Sequence, residues 1–393
     1  MLNHLRRLTL QQQGLSSARP YGKGKQAALN ALEHLGYIQI DTLAVIERAH
    51  HHTLWTRIPD YQPSHLYDLV AERQAFEYWY HAASYLPMRD YRYAMPQMMA
   101  VKRGEFPYLA KAEKKYLNHV MERIRLDGPL KARDFDVVKR GSGSWWNWKP
   151  SKLALETLFM QGELMVTGRE GMEKVYDLRE RVLPDTVETA EPTLHEFAEY
   201  LLDTTIRAYG FTTLKQLTHL RQGKTLRNAL TDLIQNEIEQ GALTKISADS
   251  GPVLYTTTTN LDAKLKRPAA NVKLLSPFDN AIIHRDRIQR LFNFDYKMEC
   301  YVAKEKRQFG YFCLPILYDE NFVGRVDCKA HRNTGKFELI SLHIEAKDLD
   351  HDRFVKPFTQ AIHRLAVFNN CETILVGSIR PKKVEGTLRK ALG

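Results

Sequence analysis

One arrangement recurs along this chain of 393 residues: two helices, a third helical stretch, then a short β-hairpin. The copy after residue 112 is the clearest. Glu113 to Leu126 reads as a helix stopped by Asp127-Gly128-Pro129, and Lys131 to Val138 reads as a second. A third begins at Trp148-Lys149-Pro150-Ser151, runs through Leu153, Leu155, Leu158 and Phe159, and ends at Gly162. Two alternating segments, Glu163 to Arg169 and Glu173 to Leu178, follow around a glycine turn. Helices closed by a hairpin describe a winged helix-turn-helix.

The next segment repeats the plan. Helices are expected over Thr193 to Tyr209, Thr213 to Arg221 and Lys224 to Gln240, with Gly241 as the stop, and a wing over Thr244 to Ser247 and Val253 to Thr257. The N-terminal segment carries Leu5 to Gln12, Gly24 to Leu35 and a strand through Gln39 to Asp41, a degenerate third copy. From about Lys273 the pattern turns to β: Lys297 to Val302, Arg307 to Leu314, Asn321 to Lys329 and Lys336 to Ile344 are rich in Tyr, Phe, Val and Ile. Helices over Asp352 to Phe368 and Pro381 to Leu392 close the chain. The expectation is an α+β fold: three tandem winged helix-turn-helix motifs, then a small antiparallel β domain and C-terminal helices. The boundaries fall at 1–112, 113–186, 187–262 and 263–393.

Composition narrows the partner. Lys and Arg number 57 against 46 Asp and Glu, a net charge of +11, which favours a polyanion. No run approaches a membrane span and the N-terminus is polar, so no membrane partner is expected. The four cysteines, Cys300, Cys313, Cys328 and Cys371, make no CxxC pair, so zinc and iron–sulfur sites lack their spacing and a reduced, cytoplasmic protein follows. His50-His51-His52 fans out over too many directions to hold one ion, so no metal or other cofactor is expected. GxSxG and GxxxxGK[ST] are both missing from the sequence.

Several residues then stand out. In Ile38-Gln39-Ile40-Asp41, an extended chain puts both isoleucines on one face and Gln39 and Asp41 on the other, roughly 7 Å apart. An amide beside a carboxylate can hold a water and stabilise a cation; a solvated strand edge is the plain alternative. Trp145-Trp146-Asn147-Trp148-Lys149 sets indoles beside Lys139, Arg140 and Lys149, a combination suited to stacking and phosphate contact, although clustered tryptophans also build cores. One histidine of the triplet, taken as His51, can face DNA with Arg48 and Arg57. The aromatic stretch Glu77 to Ser84 reads as a buried helix with one satisfied histidine rather than a catalytic one, and His81 is also a candidate for contact with DNA. Arg285 and Arg287 lie in a charged turn that either holds phosphates or pairs internally.

Gln39-Ile40-Asp41-Thr42, Glu77 to His81, Trp145 to Pro150, Leu275-Ser276-Pro277-Phe278-Asp279, Arg307 to Phe312 and Val323-Gly324-Arg325-Val326-Asp327 together resemble the YcaQ/AlkZ family of winged-helix DNA glycosylases. The resemblance runs in matching order from about residue 5 to about residue 346. The Q-x-D form is similar to the YcaQ branch rather than to the narrow antibiotic-resistance branch. It implies a bacterial, monomeric, nucleoid-associated repair enzyme on double-stranded DNA. Its substrates would be N7-alkylguanine and guanines tied into interstrand crosslinks, with Gln39 and Asp41 catalytic and Arg325 among the residues gripping DNA. The reaction expected is monofunctional, water-mediated hydrolysis; a winged-helix regulator without catalysis is the alternative.

Overall fold

The computed structural model describes residues 1–105, 112–135, 148–221, 223–247, 251–265, 267 and 271–393. The chain divides into two compact, discontinuous units. One comprises Met1–Gln62, Leu202–Leu217 and Ile234–Gly393; the other Pro63–Leu201 and Thr218–Leu233. Among the described residues no helix is long and apolar enough to cross a membrane.

The first unit is organised by a five-stranded sheet. Its strands lie in the order Thr373–Arg380, Lys336–Ile344, Asn321–His331, Cys313–Tyr318, Val272–Leu274. Four run antiparallel to their neighbours, but Thr373–Arg380 pairs parallel with Lys336–Ile344. The sheet is therefore mixed, not purely antiparallel. The helix His351–Phe368 is the crossover that a parallel pair demands. Its apolar stripe, Phe354, Phe358, Ile362 and Leu365, is buried against Leu314, Ile316, Val326 and Leu339 of the sheet. Burying one such side chain contributes about 1.5–3 kcal/mol.

Strands expected over 297–302 and from 307 do not form; the ladder begins at Cys313. The reason is local. The Glu299 carboxylate accepts the backbone N–H groups of Gln308, Phe309 and Gly310 at 2.8, 2.8 and 3.1 Å. Those donors are taken by a side chain instead of a neighbouring strand.

A second core in this unit joins the N-terminal helix Leu2–Gln12, through Leu5, Leu8 and Leu10, to Ile282, Ile288, Leu291 and Phe292. The hairpin Leu243–Ile246 with Leu254–Thr257 packs Ile246 and Leu254 against it.

In the other unit, helices Lys114–Asp127 and Trp148–Met160 precede the hairpin Leu164–Glu170 with Glu173–Leu178. Between the helices the described residues hold a 3-10 turn, Ala132–Phe135, where the sequence pattern predicts a full helix. The stretch expected as a buried helix at Glu77 to Ser84 is instead a hairpin, Ala75–Trp79 against Ala83–Pro87. The middle of that hairpin is held by a buried ion pair: Arg169 donates to both Glu77 oxygens at 2.6 Å. The helices Leu194–Tyr209 and Lys224–Glu239 each contribute residues to both units.

Candidate active site

The path into Gln39 and Asp41 is fixed at Gly36. The helix Gly24–Leu35 ends there with φ +81° and the Gly36 N–H on Leu32 O at 2.9 Å. A Cβ at this position would stand 2.3 Å from Thr204 Cγ2, so the turn demands glycine twice over. Beyond it the chain extends. Ile38 and Ile40 are buried while Gln39 and Asp41 are half-buried, the alternation that the sequence predicts. Regular strand covers only Ile38–Gln39.

Asp41 then turns on itself: the Leu43 N–H donates to Asp41 Oδ2 at 3.0 Å, an Asx-type turn that orients the carboxylate. Burial pushes the Asp41 carboxyl above the usual aspartate range, against the pull of the Leu43 and Thr42 amides and the Arg48 charge. Asp41 also raises the thiol of Cys300 and the hydroxyl of the exposed Tyr301, although burial is the larger cause for both.

Beneath the motif lies a network of buried polar groups. Arg57 places all five guanidinium donors. Its Nε bonds Gln13 O at 2.8 Å; Nη1 bonds Thr53 O and Asp279 Oδ2 at 2.9 and 2.7 Å; Nη2 bonds Asp279 Oδ1 and Gln13 Oε1 at 2.8 and 3.3 Å. Burial opposes the Arg57 charge, yet the facing Asp279 carboxylate holds its pKa above the ordinary arginine value. Asp279 also caps the short helix Asn280–Ile283 through the Ala281 N–H at 2.9 Å. The next residue, Asn280, donates from Nδ2 to Tyr37 O at 2.9 Å.

The three histidines diverge. His51 Nδ1 meets Tyr61 OH at 2.7 Å, and His52 Nε2 meets Leu274 O at 2.8 Å. Burial pulls these two down to about 3 and about 4, so both are neutral at physiological pH. Among the described residues no cluster of His, Cys, Asp and Glu is arranged to hold a metal.

The expected DNA-facing residues separate into three groups. Arg57, Arg287, Arg325 and His51 are interior, which corrects their reading as contacts to DNA. Arg287 donates to Phe211 O, Tyr209 O and Thr9 Oγ1, and lies 3.7 Å over the Phe211 ring. Arg325 pairs with both Glu345 oxygens at 2.7 and 2.9 Å. Arg285, half-buried, spends its guanidinium on the carbonyls of Ile282 and Pro277. Arg48 stands near Asp41, close enough to lower its pKa. His81 sits at the tip of the Ala75–Pro87 hairpin with its ring 5.7 Å from His219, and burial pulls it down to about 3. Lys139, Arg140, Trp145 and Trp146, and the side chain of Lys149, lie outside the described residues. The sequence reading missed Asn280 and Gln13. The Asp-Asn step after Pro277-Phe278 is the one signal that points to Asn280, since adjacent short polar side chains inside an apolar run imply buried hydrogen bonds.

Comparison with known proteins agrees with this architecture. The family model of AlkZ-like DNA glycosylases matches residues 32–368. Among solved structures, the DNA glycosylase AlkZ of Streptomyces sahachiroi superposes with a TM-score of 0.62 at 14% identity, over 95% of this chain and 98% of that one. At that identity the likeness concerns the fold.

Proposed function

This chain belongs to the AlkZ-like DNA glycosylase family, and from that premise we propose that it hydrolyses the N-glycosidic bond of N7-alkylguanine, crosslinked guanine included. The observation that carries the reading is the pairing of Gln39 and Asp41, half-buried on one face of an extended segment whose other face, Ile38 and Ile40, is core. A rigid backing is what a water clamp requires.

Alkylation at N7 makes guanine cationic, so the base departs neutral and needs little help from a general acid. The demand falls on the sugar, which becomes oxocarbenium-like, and on delivery of water. The Asp41 carboxylate stabilises that cation and accepts the proton of the attacking water. Burial makes it a stronger base than an exposed aspartate. Gln39, which can both donate and accept, orients the same water. The protons and charge balance: one water is split between the sugar and Asp41, and the carboxyl later returns its proton to solvent.

A guanine tethered to the opposite strand cannot rotate fully out of the helix. The reading therefore includes an open site, and three winged helices, at 1–112, 113–186 and 187–262, that together with the β-rich residues 263–393 engage duplex DNA. Arg48 and the basic, tryptophan-rich segment 139–149 would neutralise phosphates and stack on bases. The enzyme would act as a monomer on chromosomal DNA.

The test is to incubate the protein with a duplex carrying N7-methylguanine and with one crosslinked by a nitrogen mustard, then quantify abasic sites. Wild type should produce them without strand breaks before alkali, and Asp41→Asn and Gln39→Ala should lose most of the rate. Release at wild-type rates by both variants would defeat the assignment. Tight, sequence-specific binding to undamaged duplex with no excision would make the chain a regulator.

A further inference from the structure

The motif is held as a strap with a pin at each end. Upstream, the buried Asn280 side chain donates to Tyr37 O at 2.9 Å, one residue before the strand begins. The backbone of Asn280 is in turn fixed, its carbonyl accepting the Tyr209 hydroxyl at 3.1 Å. Downstream, Arg332 Nη1 donates to Ala44 O at 3.2 Å, and the Ala330 N–H donates to Val45 O at 2.9 Å. The Arg332 guanidinium is itself braced, by Asn369 Oδ1 at 3.0 Å and by Glu47 at 4.0 Å. Between the pins lie Ile38 to Leu43, of which only Ile38–Gln39 is regular strand. Asp41 lies two residues beyond that strand, its carboxylate turned by the Leu43 N–H.

We propose that Asn280 and Arg332 are positioning residues that set the placement of Gln39 and Asp41 through the backbone at Tyr37 and Ala44. The assignment rests on the proposed excision reaction. Neither side chain touches the reacting atoms. Asn280 supplies a side-chain donor to the carbonyl of the buried Tyr37. Arg332 reaches the strap from the 3-10 turn Arg332–Thr334, which follows the strand Asn321–His331 of the large sheet. Displacement of a catalytic group by about 1 Å can cost about 100-fold in rate, so slack at either pin is read directly in the chemical step.

The experiment compares wild type with Asn280→Ala and Arg332→Ala. Arg332 has 32% of its side chain exposed, so its removal leaves a folded protein even if Asn280→Ala does not fold. Three quantities are measured on each: the single-turnover excision rate from N7-methylguanine duplex at saturating enzyme, the Kd for the same duplex undamaged, and hydrogen exchange of the amides of residues 38–43 in the free protein. The clamp predicts a rate loss of about 10- to 100-fold, a Kd within about 3-fold of wild type, and faster exchange across 38–43. Unchanged exchange and rate in Arg332→Ala would overturn it. So would a rate loss matched by an equal loss of DNA affinity, which would make Arg332 a phosphate contact. If wild type itself excises nothing, the excision reading falls, and the exchange measurement alone decides whether the strap is pinned.

Discussion

Replacing Asp279 by alanine would strand a buried cation. Arg57 has no exposed side-chain surface and neither does Asp279, and two of the five donors of the guanidinium end on that carboxylate. Removing one partner of a buried pair costs about 3–5 kcal/mol, since the remaining charge stays out of water. The substitution also strips the cap from the helix Asn280–Ile283, worth about 1 kcal/mol more. A loss of about 4–6 kcal/mol is a large share of the about 5–15 kcal/mol that holds a typical protein folded. At about 2–4 °C per kcal/mol for a domain of 150–250 residues, the melting temperature should fall by about 10 °C or more. Differential scanning fluorimetry would read this.

The decisive comparison is Arg57→Met with Asp279→Leu in one chain. That double variant leaves Gln13 O and Thr53 O without their donors but no charge unpaired. It should melt above the Asp279→Ala single variant. A single variant within about 3 °C of wild type, or a double variant no better than the single, would refute the argument that charge pairing dominates here.

Other consequences are readily measured. In the proposed reaction Asp41 acts as an ionised base, and burial raises its pKa, so the acid limb of the pH–rate profile should lie above the ordinary aspartate range; a limb at or below that range would count against Asp41 as the base. The same shift makes the ionised form costly to the fold. The cost is absent below the unfolded pKa, grows as pH rises from the unfolded to the folded value and is fully present above it, so Asp41→Asn should melt higher than wild type at pH 7 and equally at about pH 3. Glu77→Gln leaves Arg169 buried without its carboxylate and should destabilise the second unit by about 3–5 kcal/mol, seen as an earlier urea transition. Gly36→Ala forces a side chain into left-handed backbone against Thr204 and should cost about 1–3 kcal/mol.

What the sequence revealed follows from how far each interaction reaches along the chain. The alternation of Ile38, Gln39, Ile40 and Asp41 is local, and the structure keeps it. The hairpin of the third segment is local too, with its strands within a few residues of the expected ones. Arg57, Arg287 and Arg325 were misplaced because net charge does not say which cations are interior. The carboxylate of Arg57 lies 222 residues away, and no periodicity encodes that meeting. The hairpin at Ala75–Pro87 was hidden because its turn, Tyr80-His81-Ala82, carries no Gly, Asn or Asp. Thr373–Arg380 was legible in principle: an apolar run after a long amphipathic helix that itself follows a strand is the signature of a crossover.

The interior carboxylates of this chain are held in different ways. Asp279 and Glu77 each receive a bidentate guanidinium, from Arg57 and Arg169. Asp327, buried without such a partner, has both oxygens occupied, by the Tyr311 and Phe312 amides at 2.8 and 3.1 Å. Asp41 receives no bidentate guanidinium, and like Asp327 it is held by backbone amides, those of Leu43 and Thr42. One oxygen takes the Leu43 amide, and the carboxylate remains half-buried with its pKa raised. Burial raises the pKa of Asp327 as well, but Asp41 is the more open of the two, and a half-buried carboxylate with a raised pKa carries a standing cost in stability. Such a cost persists where the perturbed group has work to do. Gln39 beside it is the natural partner for a water, and the pins at Tyr37 and Ala44 are what such a pair would need to stay in register.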